Sequence, residues 1–357
     1  MTINSHLREV GSEFIGVDVT NELNHFYSID IAYVLSGRTA IDLIIKKVLI
    51  SRIIKVAYLP DYCCESMIEP FIKNNIKVIF YKVSFIQGRF LCDINLNLNF
   101  DVILLIDYFG TISSQLEIMK TKIRDKNKII IDDMTHSIFS RDIKDSNSDF
   151  SFASMRKWSG FCAGAIIAND WNEKFIVTKN STNNKYTKLR SQAQELKSEY
   201  IKYGKLSKKL HLELFAEAER LLELDYQECF LDSETVSKIN HLDISSLKSI
   251  RGRNAQILIS KLSDLSEISM TLFDIPNNCP LFIPIFVKNG KRDKLKRILI
   301  ENGFYCPVHW PISNHIVKHD SSLYENMLSL ICDQRYTTDD MHRMSDLIIN
   351  FFRSEEK

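Results

Sequence analysis

Two short runs constrain this chain more than any other feature: residues 102–107 (VILLID) and 128–132 (KIIID). Apart from Lys128 at the start of the second, each is apolar without polar alternation until it ends in an acid. A strand apolar on both sides is buried on both faces, which is the mark of a parallel sheet covered by helices. The surrounding sequence agrees. Residues 39–49 (TAIDLIIKKVL), 64–74 and 115–125 carry helical spacing, the last lying between the two runs. Further strands are predicted at 54–59, 77–83, 149–154 and 163–168. Strands alternating with helices predict an α/β fold on a largely parallel sheet.

At 357 residues, 45% of them hydrophobic, the chain is too long for one compact unit of ordinary size, so two domains are expected. Residues 1–235 are read as the large domain, with a charged, periodic helical extension at 188–224. Residues 236–357 are read as a smaller C-terminal α/β domain: a helix at 242–262, a strand at 281–287, a helix at 291–302, a strand at 304–308 and a closing helix at 338–352. The extension reads as a solvated helix or as a dimer surface.

Forty-six basic residues against 45 acidic ones leave a formal charge of +1. Nucleic acid and anionic membranes both call for a concentrated basic face, and neither is expected as a partner. The basic runs 202–209 and 288–297 read first as solvated helix faces. No apolar run reaches the ~20 residues of a membrane span. The first nine residues are polar and predict no export signal. Eight scattered cysteines contain no Cys-x-x-Cys pair, which fits reduced thiols in a cytoplasmic protein. The glycosylation-like triplet Asn180-Ser181-Thr182 then carries no meaning. His315, His319 and His342 form no ligand set, so no metal is assigned. No Gly-x-Gly-x-x-Gly fingerprint occurs, which disfavours a nicotinamide enzyme.

Four local features follow one another at strand ends and helix starts. Ser36-Gly37-Arg38-Thr39-Ala40 precedes a helix, where free N–H groups and a glycine suit an anion. Asp132-Asp133-Met134-Thr135-His136 follows a strand, on the side of an open sheet where ligands bind. Ser154-Met155-Arg156-Lys157 offers a lysine whose pKa a neighbouring cation and burial would lower. Gly160–Gly164 (GFCAG) permits a tight approach after it. Singly, each has a simpler reading: an N-cap, a surface Asp and His, a surface Arg-Lys pair.

As an ordered set they resemble pyridoxal phosphate (PLP) enzymes of fold type I, the aspartate-aminotransferase type with a three-layer sheet. More closely they resemble the DegT-like sugar aminotransferase family, over nearly the whole chain from Glu13 onward. Leu59-Pro60-Asp61-Tyr62, Asp107-Tyr108-Phe109-Gly110 and Tyr305-Cys306-Pro307-Val308-His309-Trp310-Pro311 extend the likeness. The resemblance implies that Lys157 carries PLP as a Schiff base and shuttles protons. It implies that Asp133 pairs with the ring nitrogen and His136 with the ring oxygen. Gly37, Arg38, Thr39 and Ser154 then hold the phosphate. Tyr62 or Cys64 stacks on the ring. Tyr108, His309 and Trp310 face substrate, although His309 also suits a structural role and Tyr108 and Phe109 a core one. Trp158 and Met134 read as packing.

The activity so implied is transfer of an amino group, from glutamate as donor, to a nucleotide-linked keto-sugar destined for a surface polysaccharide or glycan, in a homodimer. The sequence departs from the family in having few glycines after the lysine and Arg156 before it. Adjacent Cys63-Cys64 leaves open a PLP lyase or desulfurase acting on an amino acid. A non-catalytic ligand-binding relative is a third reading.

Overall fold

The structure, a computed structural model, describes residues 9–141, 147–169, 184–204, 207–227, 231–317 and 321–355. Residues 1–8, the triplet at 180–182, Cys229 and His319 lie outside these. After a short β1 (Val10–Gly11), β2 (Ala32–Val34) leads into α1 (Gly37–Ser51). There follow β3 (Val56–Pro60), α2 (Glu65–Lys73), β4 (Lys77–Ile86), β5 (Arg89–Asp93), β6 (Val102–Ile106), α3 (Ser114–Arg124), β7 (Ile129–Asp133), β8 (Phe150–Ser154) and β9 (Gly164–Ala168). Strands β2 to β9 make one sheet in the order β2-β9-β8-β7-β6-β3-β4-β5. Its middle, β8 through β4, is parallel, and β5, β9 and β2 join antiparallel. The fold is thus the expected α/β type with a large, mostly parallel sheet.

All five residues of β6 and of β7 are buried, as their unbroken apolar sequence requires. Alternation in β8 and β9 divides two layers. Phe152 and Ile166 pack in the cluster that holds Ile41, Ile44 and Ile45 of α1. Ala153, Ala165 and Ile167 pack in another with Ile239, Leu242 and Leu247. Helices therefore cover both faces. Gly164 is required where β9 passes the turn before α1, since a Cβ there would sit 2.3 Å from the Ser36 carbonyl oxygen.

The charged stretch 188–224 is two helices, α4 (Asn184–Tyr203) and α5 (Lys208–Leu224), packed on each other. Gly204, at φ +63°, follows the first. Next come α6 (Ser233–Asn240), α7 (Ile244–Leu262), β10 (Ile268–Met270), β11 (Ile283–Val287), α8 (Arg292–Glu301), β12 (Phe304–Tyr305), α9 (Ser321–Asn326), β13 (Met327–Leu330) and α10 (Thr338–Glu355). β10, β11 and β13 form an antiparallel sheet with its own core, built from α7, α8 and α10. β12 is shorter than the 304–308 expected, because Pro307 has no N–H to donate to a ladder. β1 pairs parallel with β12, and Val10 is buried in this second core. No described helix is long and apolar enough to cross a membrane.

Candidate active site

Three of the predicted motifs converge on one cavity of about 240 Å³. Its wall includes Gly37 and Arg38 from the start of α1, Asp133, Thr135 and His136 from the end of β7, and Ser154, Arg156 and Lys157 after β8. Ser36 caps α1 by accepting from the Thr39 N–H at 3.1 Å, and its carbonyl accepts from that of Ala40. The Gly37 and Arg38 N–H groups are left at the helix mouth. Gly37 itself lies so near β8 that a Cβ there would meet Ser154 Cβ at 3.2 Å. Two guanidinium nitrogens of Arg38, Nε and Nη1, are buried without a hydrogen bond, Nε lying 3.5 Å from Glu69.

Strand pleating separates the two adjacent acids. Asp132 turns away and meets Lys120 Nζ at 2.6 Å and Arg141 Nη1 at 3.2 Å. Asp133 faces the cavity, where its Oδ1 accepts from the Thr135 N–H at 2.8 Å. Burial pushes the Asp133 carboxyl up to about 6, against the lowering effects of Thr135 and Lys157. Asp132→Asn should destabilise the protein by roughly 3 kcal/mol, the low end for a broken buried pair, since Glu117 still reaches Lys120. Denaturant unfolding checks this, and cofactor uptake should be unchanged.

His136 Nδ1 accepts the Phe109 N–H at 3.1 Å, which leaves the ring proton on Nε2. Burial, then Lys157 and His309, hold its pKa well below the usual histidine value, so the ring is neutral. Trp310 stacks on it, with centroids 5.6 Å apart and planes 17° apart. Lys157 ends a helical turn that follows β8, and its Nζ lies 5.8 Å from the Trp310 ring centre. Burial lowers its pKa more than Cys64 and Asp133 raise it, and Arg156 adds to the lowering.

Four expected positions do not line this cavity. The Tyr62 ring is fully buried among aromatics, and its hydroxyl donates to the His309 carbonyl at 2.5 Å. Cys64, two residues on, lines the cavity instead. The Thr39 hydroxyl donates to the Tyr226 carbonyl at 2.7 Å and does not line the cavity. Tyr108 is buried, with its hydroxyl donating to the Tyr62 carbonyl at 2.7 Å. His309 is buried with Nδ1 2.8 Å from Ser329 Oγ, and lines a neighbouring cavity that Lys157 also touches. Met134 and Trp158 pack as expected, the latter donating Nε1–H to the Thr135 carbonyl at 2.7 Å.

The sequence concealed one wall. Tyr186, Glu219 and Leu222, from the two charged helices, close the cavity. Glu219 pairs with Arg156 and, at 2.8 Å, with Arg190, which reaches Glu13 at 2.6 Å. Part of the stretch read as solvated or as a dimer surface is therefore interior. No metal-binding group of His, Cys, Asp and Glu occurs among the described residues.

A mostly parallel eight-stranded sheet with a lysine just beyond one of its parallel strands has the fold of the PLP-dependent aminotransferases of fold type I. No family model matches the sequence, and no curated protein matches it. Solved structures do match. PseC from Helicobacter pylori, an aminotransferase involved in the biosynthesis of pseudoaminic acid, superposes with a TM-score of 0.65 at 12% identity, covering 97% of this chain and 100% of that one. A DegT DnrJ EryC1 StrS aminotransferase from Brucella abortus gives 0.58 at 13% identity, covering 91% and 87%. The GDP-4-keto-6-deoxy-D-mannose-3-dehydratase of E. coli, with bound hydrated PLP, gives 0.59 at 12%, covering 89% and 87%. At such identities the likeness is one of fold.

Proposed function

We propose that the chain is a PLP-dependent aminotransferase that moves an amino group from an amino acid, glutamate by expectation, to a nucleotide-linked keto-sugar. The observation that carries this reading is the meeting of Lys157, Asp133, His136 and the mouth of α1 on one cavity. The residues present fit PLP. An unspent helix N-terminus, a glycine pressed against Ser154 and the buried, unbonded Nη1 of Arg38 suit a phosphate. Asp133 suits a protonated ring nitrogen.

When bound, PLP supplies an aldehyde that captures amines and a ring that takes up the electron pair left by a departing proton. The chain supplies the rest. Lys157, its pKa lowered by burial, gives up its proton more readily than a free lysine and moves a proton at Nζ. Asp133 stays ionised above about pH 6, and a cationic partner would hold it so at lower pH. His136, protonated on Nε2, would offer that N–H to the ring oxygen. Trp310, stacked on His136, also lines the cavity and fixes the plane of the imidazole. The same reading carries a homodimer and a place in glycan or surface-polysaccharide synthesis, on the resemblance set out above and on the sugar-pathway structures that share the fold.

One observation favours a second reading, a lyase or desulfurase acting on an amino acid: Cys64 stands on the cavity wall, its Sγ 3.0 Å from Ser66 Oγ. Cys63 does not serve that reading, since burial pushes its thiol well up and it donates to the Pro60 carbonyl. The PLP-loaded protein mixed with glutamate separates the two. Transamination converts the cofactor to its pyridoxamine form with release of 2-oxoglutarate, and a nucleotide-linked keto-sugar then restores PLP. An unchanged cofactor with product released from a cysteine substrate would favour the second reading.

A further inference from the structure

Arg156 and Lys157 stand where two cavities meet: the one described above, and a second of about 360 Å³ against the N-terminal segment and the C-terminal elements. Among the described residues, the Arg156 side chain makes one hydrogen bond, from Nη1 to Glu219 Oε1. That same oxygen accepts from Arg190 Nη1 at 2.8 Å, and Arg190 Nη2 donates to Glu13 Oε2 at 2.6 Å. Glu219 belongs to α5, Arg190 to α4 and Glu13 to the N-terminal segment. Glu219 lines the first cavity and Glu13 the second, while Arg190 is buried behind both. Two guanidinium groups and two carboxylates thus alternate around the lysine turn.

The chain just past the lysine is held by its backbone. The Gly160 N–H donates to the Gly16 carbonyl at 2.9 Å, and a Cβ on Gly160 would lie 2.4 Å from that oxygen. The Gly160 carbonyl accepts from Gln194 Nε2 of α4 at 2.7 Å. On the near side, Glu219 holds a charge. A guanidinium tethered at one nitrogen between two cavities is free to swing once the tether is cut, and two cations sharing a water-poor space repel strongly. By accepting from Nη1, Glu219 both orients Arg156 and offsets its charge. Arg190, with both outer nitrogens spent on carboxylates, keeps Glu219 in place.

We propose that Glu219 is a positioning residue for Lys157, acting through Arg156 and locked by Arg190. Its bearing on amino transfer rests on the aminotransferase reading, whereas the coupling between the charges does not. Several elements bring titratable groups to Lys157: Cys64 ahead of α2, Asp133 and His136 at the end of β7, Arg156 on its own turn, His309 after β12, and Glu13. Cys64, Asp133 and Glu13 favour the protonated amine, and Arg156 disfavours it. Burial holds His136 and His309 neutral. Arg156 is therefore the cation whose placement the amine senses.

The full chain before PLP is added carries the test, because its Lys157 amine is free. Trace acetylation with acetic anhydride across a pH series, read at the Lys157 peptide by mass, gives the pH at which that amine loses its proton. Glu219→Gln should lower this midpoint by about one unit, roughly a 10-fold gain in neutral amine, since Arg156 then acts without its counter-charge. Glu219→Asp, which keeps the carboxylate, should stay close to wild type. Arg156→Met should raise the midpoint by about one unit, and Glu219→Gln added to Arg156→Met should change little further. An unmoved or raised midpoint in Glu219→Gln, or a drop just as large in the Arg156→Met background, would overturn the proposal. Should Glu219→Gln fail to fold, Arg156→Met decides alone: a rise supports the coupling and no rise sinks it. PLP uptake, followed by visible absorbance, is scored separately. Uptake without these shifts sinks this inference alone, whereas the shifts without uptake leave the coupling standing and sink the functional reading.

Discussion

Lys157→Ala is expected to abolish amino transfer while leaving the fold intact. Loss of a positioned general base alone lowers a rate by roughly 10²- to 10⁴-fold, and here the amine that anchors PLP goes with it. The site should still collect PLP weakly, because the α1 mouth and Asp133 remain. Stability of the apo protein should hold or rise at neutral pH. Burial lowers the Lys157 pKa, so the folded state is penalised wherever that amine is protonated, and alanine removes the penalty. Single-turnover assay with glutamate, visible spectra and denaturant unfolding check the three parts. Full biological activity in this variant would favour the non-catalytic reading.

Asp133→Asn sets stability against function. In the apo protein, burial raises the carboxyl from its ordinary 3.8 to about 6. Between those values the folded state holds a proton that the unfolded chain has released, so stability falls as pH rises through the window. Below about pH 4 nothing is lost, and above about pH 6 the whole cost, roughly 3 kcal/mol, is present. Asparagine keeps an oxygen to accept the Thr135 N–H and carries no charge. The apo variant should therefore unfold at higher denaturant than wild type near neutral pH, and at a similar concentration near pH 4. Its transamination rate should fall by about 10²- to 10³-fold, the scale of one removed electrostatic partner. A variant no more stable than wild type at neutral pH would show that Asp133 is solvated, contrary to the geometry.

The fold was legible because its signals are local: β6 and β7 announce themselves as apolar runs that close on acids. That Lys157, Asp133 and His136 would share one cavity was legible only from the order of the motifs and their resemblance, since each motif alone has a simpler reading. The strands not anticipated carry weaker signals. β5 (RFLCD) has a charge at each end, and only Phe90 and Cys92 are buried. Its hairpin turn, Gln87-Gly88, with both residues at positive φ, was the available cue.

Side-chain direction at a loop was harder. Tyr62 and Cys64 follow the same strand, and which of them meets the cavity depends on an aromatic cluster drawn from Phe90, Tyr108, Trp310 and Tyr324. The charged helices misled for a similar reason. Arg190 is 2% and Lys197 3% exposed, yet what satisfies Arg190 is Glu219 and the distant Glu13, and Lys197 donates to the Glu13 carbonyl. Charge pairing across that span of sequence has no periodicity to read.

The most direct measurement is chemical. The protein is incubated with PLP, reduced with borohydride, digested, and mapped by mass. A phosphopyridoxyl group on the peptide carrying Lys157, and none in Lys157→Ala, is the predicted result. Absence of any label, or a label on a different lysine, would contradict a cofactor seated between the first helix and Asp133.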